Sequence, residues 1–97
     1  MSWRVFIAPA AEKVLHKLPQ PVERFVLDEF PKLVKENPFI GSQLKGDLSW
    51  IRSYHFSQGG QPYRVAYSVN RTESKIVVRY ADHRGNFYDK LKRLLGS

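Results

Sequence analysis

Apolar residues recur along this chain with two periods, and the switches between them mark out strands and helices. Trp3 to Ile7 (WRVFI) alternates large apolar side chains with Arg4, which predicts a first strand. Pro9 suits the first turn of a helix, and Ala11, Val14, Leu15 and Leu18 then follow a helical spacing, so a helix is expected over residues 9–18. Pro19-Gln20-Pro21 stops it. Val22, Phe25, Val26, Phe30, Leu33 and Val34 form a second stripe that keeps its phase across Pro31, which predicts a kinked helix or two closely stacked segments, ended by Asn37-Pro38.

Phe39 to Gly46 has no clear period and reads as a loop anchored by Phe39, Ile40 and Leu44. Trp50 to Phe56 (WIRSYHF) is an ambiguous strand, with Trp50, Arg52, Tyr54 and Phe56 on one side and Ile51, Ser53 and His55 on the other. Ser57 to Gln61 (SQGGQ) is a hairpin connection. From Pro62 to Asn70, Tyr63, Val65, Tyr67 and Val69 alternate with Arg64, Ala66 and Ser68, so the large side chains face the core and Arg64 points the other way. Arg71 to Ser74 is a polar turn, Lys75 to Ala81 a further strand, and Phe87, Leu91, Leu94 and Leu95 mark a short C-terminal helix after the break at Gly85-Asn86. The order β-α-α-β-β-β-α, without an internal repeat, predicts an α+β domain whose helical hairpin packs on the sheet.

At 97 residues the chain is too short to split into two halves that each bury a core, so a single domain spanning 1–97 is expected. Its 16 Lys and Arg against 9 Asp and Glu leave a net charge of +7, which points to a polyanionic partner. That charge does not choose between RNA, DNA, an acidic protein and anionic lipid. No run is apolar enough for a membrane span, and Arg4 interrupts what would be a signal-peptide core, so a cytoplasmic protein is expected. Without cysteine, neither a disulfide nor a thiolate metal site is available. His16, His55 and His83 are too widely spaced to suggest a metal site.

Candidate chemistry concentrates between Tyr63 and Tyr88, where Arg64, Asp82, His83, Arg84 and Tyr88 offer phosphate-binding and proton-transfer groups. An arginine fork matches two phosphate oxygens, and histidine changes charge near neutrality. Several short landmarks then fall in one order: Ala11, Leu15, Lys17-Leu18-Pro19, Asn37-Pro38, Leu44-Lys45-Gly46, Tyr63-Arg64-Val65 with Tyr67, and His83-Arg84 with Tyr88. In this order the chain resembles the RelE/ParE superfamily of toxins from bacterial and archaeal toxin–antitoxin pairs.

The resemblance implies a small twisted antiparallel sheet carrying a helical hairpin, and a cognate antitoxin as partner. In the RelE branch it implies mRNA cleavage on the ribosome, beside its 16S rRNA. In the ParE branch it implies inhibition of DNA gyrase, and an inert nucleic-acid-binding relative is a third reading. Nuclease members use the RNA's own 2′-OH, with no metal or cofactor. By resemblance, Arg64 and Arg84 would stabilise the scissile phosphate, and Tyr88 would stack on a base or assist proton transfer. Arg52 and Tyr54 fall where the best-known nucleases carry two lysines, and arginine is a poor base. His83, with Asp82 beside it, or alternatively His55, would then accept the proton. Lys45, Arg52, Tyr54, Lys90 and Arg93, with Lys92, would extend the RNA track.

Overall fold

The computed structural model describes residues 2–83 and 85–96. A five-stranded sheet in the order β1-β5-β4-β3-β2 forms the centre. Its strands are β1 (Arg4–Ile7), β2 (Ser42–Gln43), β3 (Ile51–Gln58), β4 (Gln61–Asn70) and β5 (Lys75–Asp82). The helices are α1 (Pro9–Leu15), α2 (Gln20–Arg24), α3 (Phe30–Glu36) and α4 (Phe87–Gly96). The α+β class and the order of elements are those expected. From β2 through β5 the sheet is antiparallel, and β1 adds a parallel edge against β5. A short turn dictates direction only for the strands it joins, and no turn joins β1 to β5.

Each difference in the helices and loops has a local cause. The first helix ends at Leu15, because the Lys17 and Leu18 amides turn back to Val14 and Leu15 in a tightened last turn before Pro19. Pro31 has no amide to offer the carbonyl four residues back. The chain absorbs this as a π-helical turn over Phe25–Glu29, in which the Phe30 amide donates to Phe25, so α2 and α3 run on as stacked segments. The two-residue β2 lies in the stretch read as a loop, and both of its residues are exposed, so no apolar pattern announces it. The β3–β4 turn is Gly59-Gly60, both at positive φ (61° and 79°), as a tight hairpin requires.

Two cores lie on the two faces of this sheet. On one, Ala11, Leu15, Val26, Phe30 and Val34 of the hairpin pack on Val65, Tyr67, Ile76, Val78 and Ala81. On the other, Phe87 and Leu91 of α4 pack on Ile51, Ala66 and Tyr80. Ala66 is fully buried beneath this second core, and its small side chain lets the helix approach.

The buried Tyr67 hydroxyl ties the loop after α3 to the sheet. It accepts a hydrogen bond from the Gly41 amide (2.8 Å) and donates one to the Pro38 carbonyl (2.9 Å). A Cβ at Gly41 would sit 2.9 Å from both this hydroxyl and the Ser53 carbonyl, so only glycine fits. Burial pushes the Tyr67 phenol above its ordinary value, partly offset by the Gly41 amide and Arg52. The folded state therefore holds this proton more tightly than the unfolded chain does. The resulting stability is fully present below the ordinary phenol value of about 10 and is lost as pH rises through the higher folded value.

Tyr67→Phe should cost about 1–3 kcal/mol, because it leaves the buried Gly41 amide and Pro38 carbonyl unpaired. Urea denaturation at neutral and strongly alkaline pH checks this. The loss should be full at neutral pH and shrink above the phenol range.

Candidate active site

Arg64 leaves β4 on the α4 side of the sheet, as its alternation with Tyr63 and Val65 requires. It is half-buried, and its guanidinium carbon lies 5.7 Å from the Phe87 ring centre and 5.3 Å from that of Tyr88. Phe87 takes the inward position at the start of α4 and is fully buried, while Tyr88 stands 37% exposed with its ring edge-on to Phe87. The two rings hold the arginine in place, and the fork is presented beside an accessible aromatic surface.

The direct partner of Arg64 on β3 is His55. Opposed residues of an antiparallel pair share a face and lie within side-chain reach. Ser53 and Ile51 continue that face, opposite Ala66 and Ser68. His55 is exposed. On the other flank, β5 places Asp82 opposite Arg64. The Asp82 carboxylate is buried and accepts hydrogen bonds from the Tyr80 hydroxyl (2.6 Å) and the His83 amide (2.7 Å).

The other residues singled out in the sequence fall into three groups. Lys45 joins the Arg64 side, lining with Leu48, Tyr88 and Lys92 a concavity of about 400 Å³. His83, Lys90 and Arg93 lie across α4, in a cleft of about 500 Å³ closed by Lys17 and Leu18. His83 also meets the Tyr63 ring edge-on at 5.3 Å, on the hairpin side of β4. His83 follows the end of β5, and its Nδ1 lies 3.4 Å from the Asp82 carboxylate, so Asp82 stands beside the ring. His55 thus flanks Arg64 by direct pairing from β3, and His83 approaches it by way of Asp82 from β5.

Arg52 and Tyr54 form the third group, and both point to the hairpin face. Arg52 donates to the carbonyls of Gly41 (2.8 Å) and Phe39 (3.3 Å) and lies 5.2 Å from the Phe39 ring centre. Tyr54 sits among Phe25, Phe30 and Phe56, at 6.4, 5.6 and 6.5 Å between ring centres. Both half-buried side chains are engaged between the sheet and the hairpin or its following loop. Arg84 lies outside the described residues.

The place of His55 is legible in retrospect. A two-residue Gly59-Gly60 turn pairs Gln58 with Gln61, and three steps outward this register reaches His55 and Arg64. Alignment from Leu44-Lys45-Gly46 alone, without counting back from the turn, selects Arg52 and Tyr54, which lie on the opposite face of β3 from His55.

A sheet of this order, with a helical hairpin on one face and a terminal helix on the other, defines a class of small α+β proteins. The sequence pattern of the ParE-like toxins of type II bacterial toxin–antitoxin systems matches residues 5–92, and the chain belongs to that family. It is similar to toxin RelG of Mycobacterium tuberculosis, at 28% identity over 91% of this chain and 98% of that one. Its fold is similar to a chain of the M. tuberculosis toxin–antitoxin complex RelBE2, with a TM-score of 0.75 at 26% identity over 87% of this chain and all of that one. It is also similar to a chain of the archaeal RelE–RelB complex of Pyrococcus horikoshii, with a TM-score of 0.60 at 30% identity over 88% and 98%.

Arg64→Ala should leave the fold intact. Loss of the two ring contacts should cost about 1–2 kcal/mol, read as a modest fall in urea midpoint with an unchanged far-UV spectrum. Collapse of the spectrum would instead make Arg64 a core-supporting residue.

Proposed function

We infer that this toxin is an endoribonuclease that cuts mRNA on the ribosome by metal-free attack of a 2′-OH on the adjacent phosphate. The observation that carries this reading is the placement of Arg64 and His55 as direct cross-strand partners, beside the exposed ring of Tyr88. His55 accepts the 2′-OH proton as the oxygen attacks phosphorus. Arg64 binds the phosphate oxygens as negative charge builds on them. The bond to the 5′ oxygen breaks and that oxygen takes up a proton from water, while His55 returns the proton it accepted to solvent. Tyr88 offers a flat surface for a neighbouring base, and Lys45 and Lys92 extend the positive track along the backbone.

A cognate antitoxin is the partner that restrains this activity. Support comes from the RelBE2 and RelE–RelB neighbours, whose structures are toxin–antitoxin complexes. An acidic segment laid across Arg64, Lys45 and Lys92 would satisfy the same charges that bind RNA. The toxin works in the cytoplasm, where ribosomes and mRNA are. Among the described residues, no helix is long and apolar enough to cross a membrane.

The ParE-like character of the family favours a second reading, a blocker of DNA gyrase in which Arg64 and His55 take no part in bond breaking. Induced expression with mapping of transcript ends and DNA breaks separates the two. Translation-dependent cuts within codons are expected. DNA breaks without such cuts would replace the nuclease with the gyrase reading.

Within the nuclease reading, Arg64→Ala should slow cleavage by about a hundredfold or more. His55→Ala should slow it roughly a hundredfold. His83→Ala should leave the rate near that of the parent. Single-turnover cleavage on programmed ribosomes measures all three.

A further inference from the structure

Helix α4 covers only part of its face of the sheet, and the uncovered part has a composition of its own. Backbone pairing sets Arg4, Phe6, Lys75, Val77 and Ser68 side by side on that surface. Phe6 is 42% exposed and Trp50, at the head of β3, is 50% exposed. Lys75 Nζ lies 5.1 Å from the Phe6 ring centre, and the Arg79 guanidinium carbon 5.6 Å from that of Trp50. Arg79 Nε–H also donates to Ser68 Oγ at 3.2 Å, which holds the guanidinium down on the sheet. Trp50, Ser68, Lys75, Val77 and Arg79 line a concavity of about 600 Å³, bordered at the β4–β5 turn by Arg71 and Glu73.

We propose that this surface is a second nucleic-acid site, which stacks the bases of an unpaired RNA strand on Trp50 and Phe6 while Lys75, Arg79 and Arg4 hold its phosphates. It lies beyond the Arg64–His55 site and does not depend on cleavage there. Charge selects the occupant: Arg71, Lys75 and Arg79 line the concavity against the single carboxylate of Glu73, and Arg4 pairs with Lys75 on the neighbouring strand. Among the described residues, none of the four has a carboxylate within ion-pair distance. Glu73 turns to its own loop, where it accepts a hydrogen bond from Asn70 Nδ2 at 3.3 Å.

The arrangement of apolar groups selects a strand over a protein. A stable protein interface needs a continuous apolar centre of well-packed side chains. Here the exposed rings are separated by cations seated on their faces. Flat aromatic rings alternating with cations on a pleated sheet suit a single strand, since every base offers a face to stack and every linkage a phosphate. Paired bases would not expose those faces.

The test uses the full chain carrying Arg64→Ala, which silences cleavage, and Trp3→Phe, which leaves Trp50 as the sole tryptophan. Titration with a short oligoadenylate RNA should quench Trp50 fluorescence saturably. Lys75→Glu with Arg79→Glu should weaken this binding about tenfold or more and flatten its salt dependence by about two phosphate contacts. Lys45→Glu, on the other side of α4, should leave it unchanged. Phe6→Ala, read by anisotropy of a labelled oligonucleotide, should weaken binding without reversing a charge. Absence of quenching, or quenching indifferent to the charge reversals, overturns the proposal. So does a polyglutamate peptide that binds Trp50 more tightly than the RNA, which would make the surface an acidic-protein site. Because Trp50 is read without cleavage, failure here leaves the assignment of Arg64 and His55 standing, and the reverse also holds.

Discussion

Strand β4 is buried on both faces, and its alternation fixes where everything else can go. Tyr63, Val65 and Tyr67 face the helical hairpin, while Arg64, Ala66 and Ser68 face α4 or the surface it leaves open. One residue of slippage would put arginine into the hairpin core and expose valine and tyrosine to water. The glycine pair at positive φ that starts the strand, and the Tyr67 hydroxyl that clasps the loop at Pro38 and Gly41, hold this register from two sides. Arg64 is therefore placed by packing forces that have no connection with its chemistry.

Helix α4 then divides the basic surface. Lys45 and Lys92 fall on the Arg64 side, and Lys17, Lys90 and Arg93 on the side toward α1. Beyond the helix, the open sheet carries Lys75 and Arg79 beneath exposed aromatic rings. Three basic patches with different neighbours thus surround α4 and the open sheet. Of these three, among the described residues, the Arg64 patch combines a cation seated on rings, a histidine opposite it and an exposed tyrosine.

The strands and helices that obey one period were legible in the sequence, because burial of a face imposes that period directly. The order of elements, the hairpin stripes and the outward direction of Arg64 all come from it. What periodicity does not carry is relative placement. β1 lies parallel to β5, and β2 has two exposed residues that no apolar pattern announces. For the site, proximity in sequence made His83 the natural companion of Arg64, and the structure sets it beside Asp82, the partner of Arg64 on β5. His55, nine residues before Arg64, is brought opposite it by the Gly59-Gly60 turn. Arg52 and Tyr54 looked available for RNA because polar and aromatic side chains on an ambiguous strand do not reveal which face has a helix above it.

The central claim is that Arg64 and His55 act on a phosphate attacked by the neighbouring 2′-OH. Its most direct test is cleavage, on programmed ribosomes, of an mRNA with a single 2′-deoxy substitution at the nucleotide preceding the cut. The account predicts that this transcript binds but is not cut, while the all-ribose transcript yields a 2′,3′-cyclic phosphate and a 5′-hydroxyl end. Equal cleavage of the two transcripts, or ends bearing a 5′-phosphate, would contradict it.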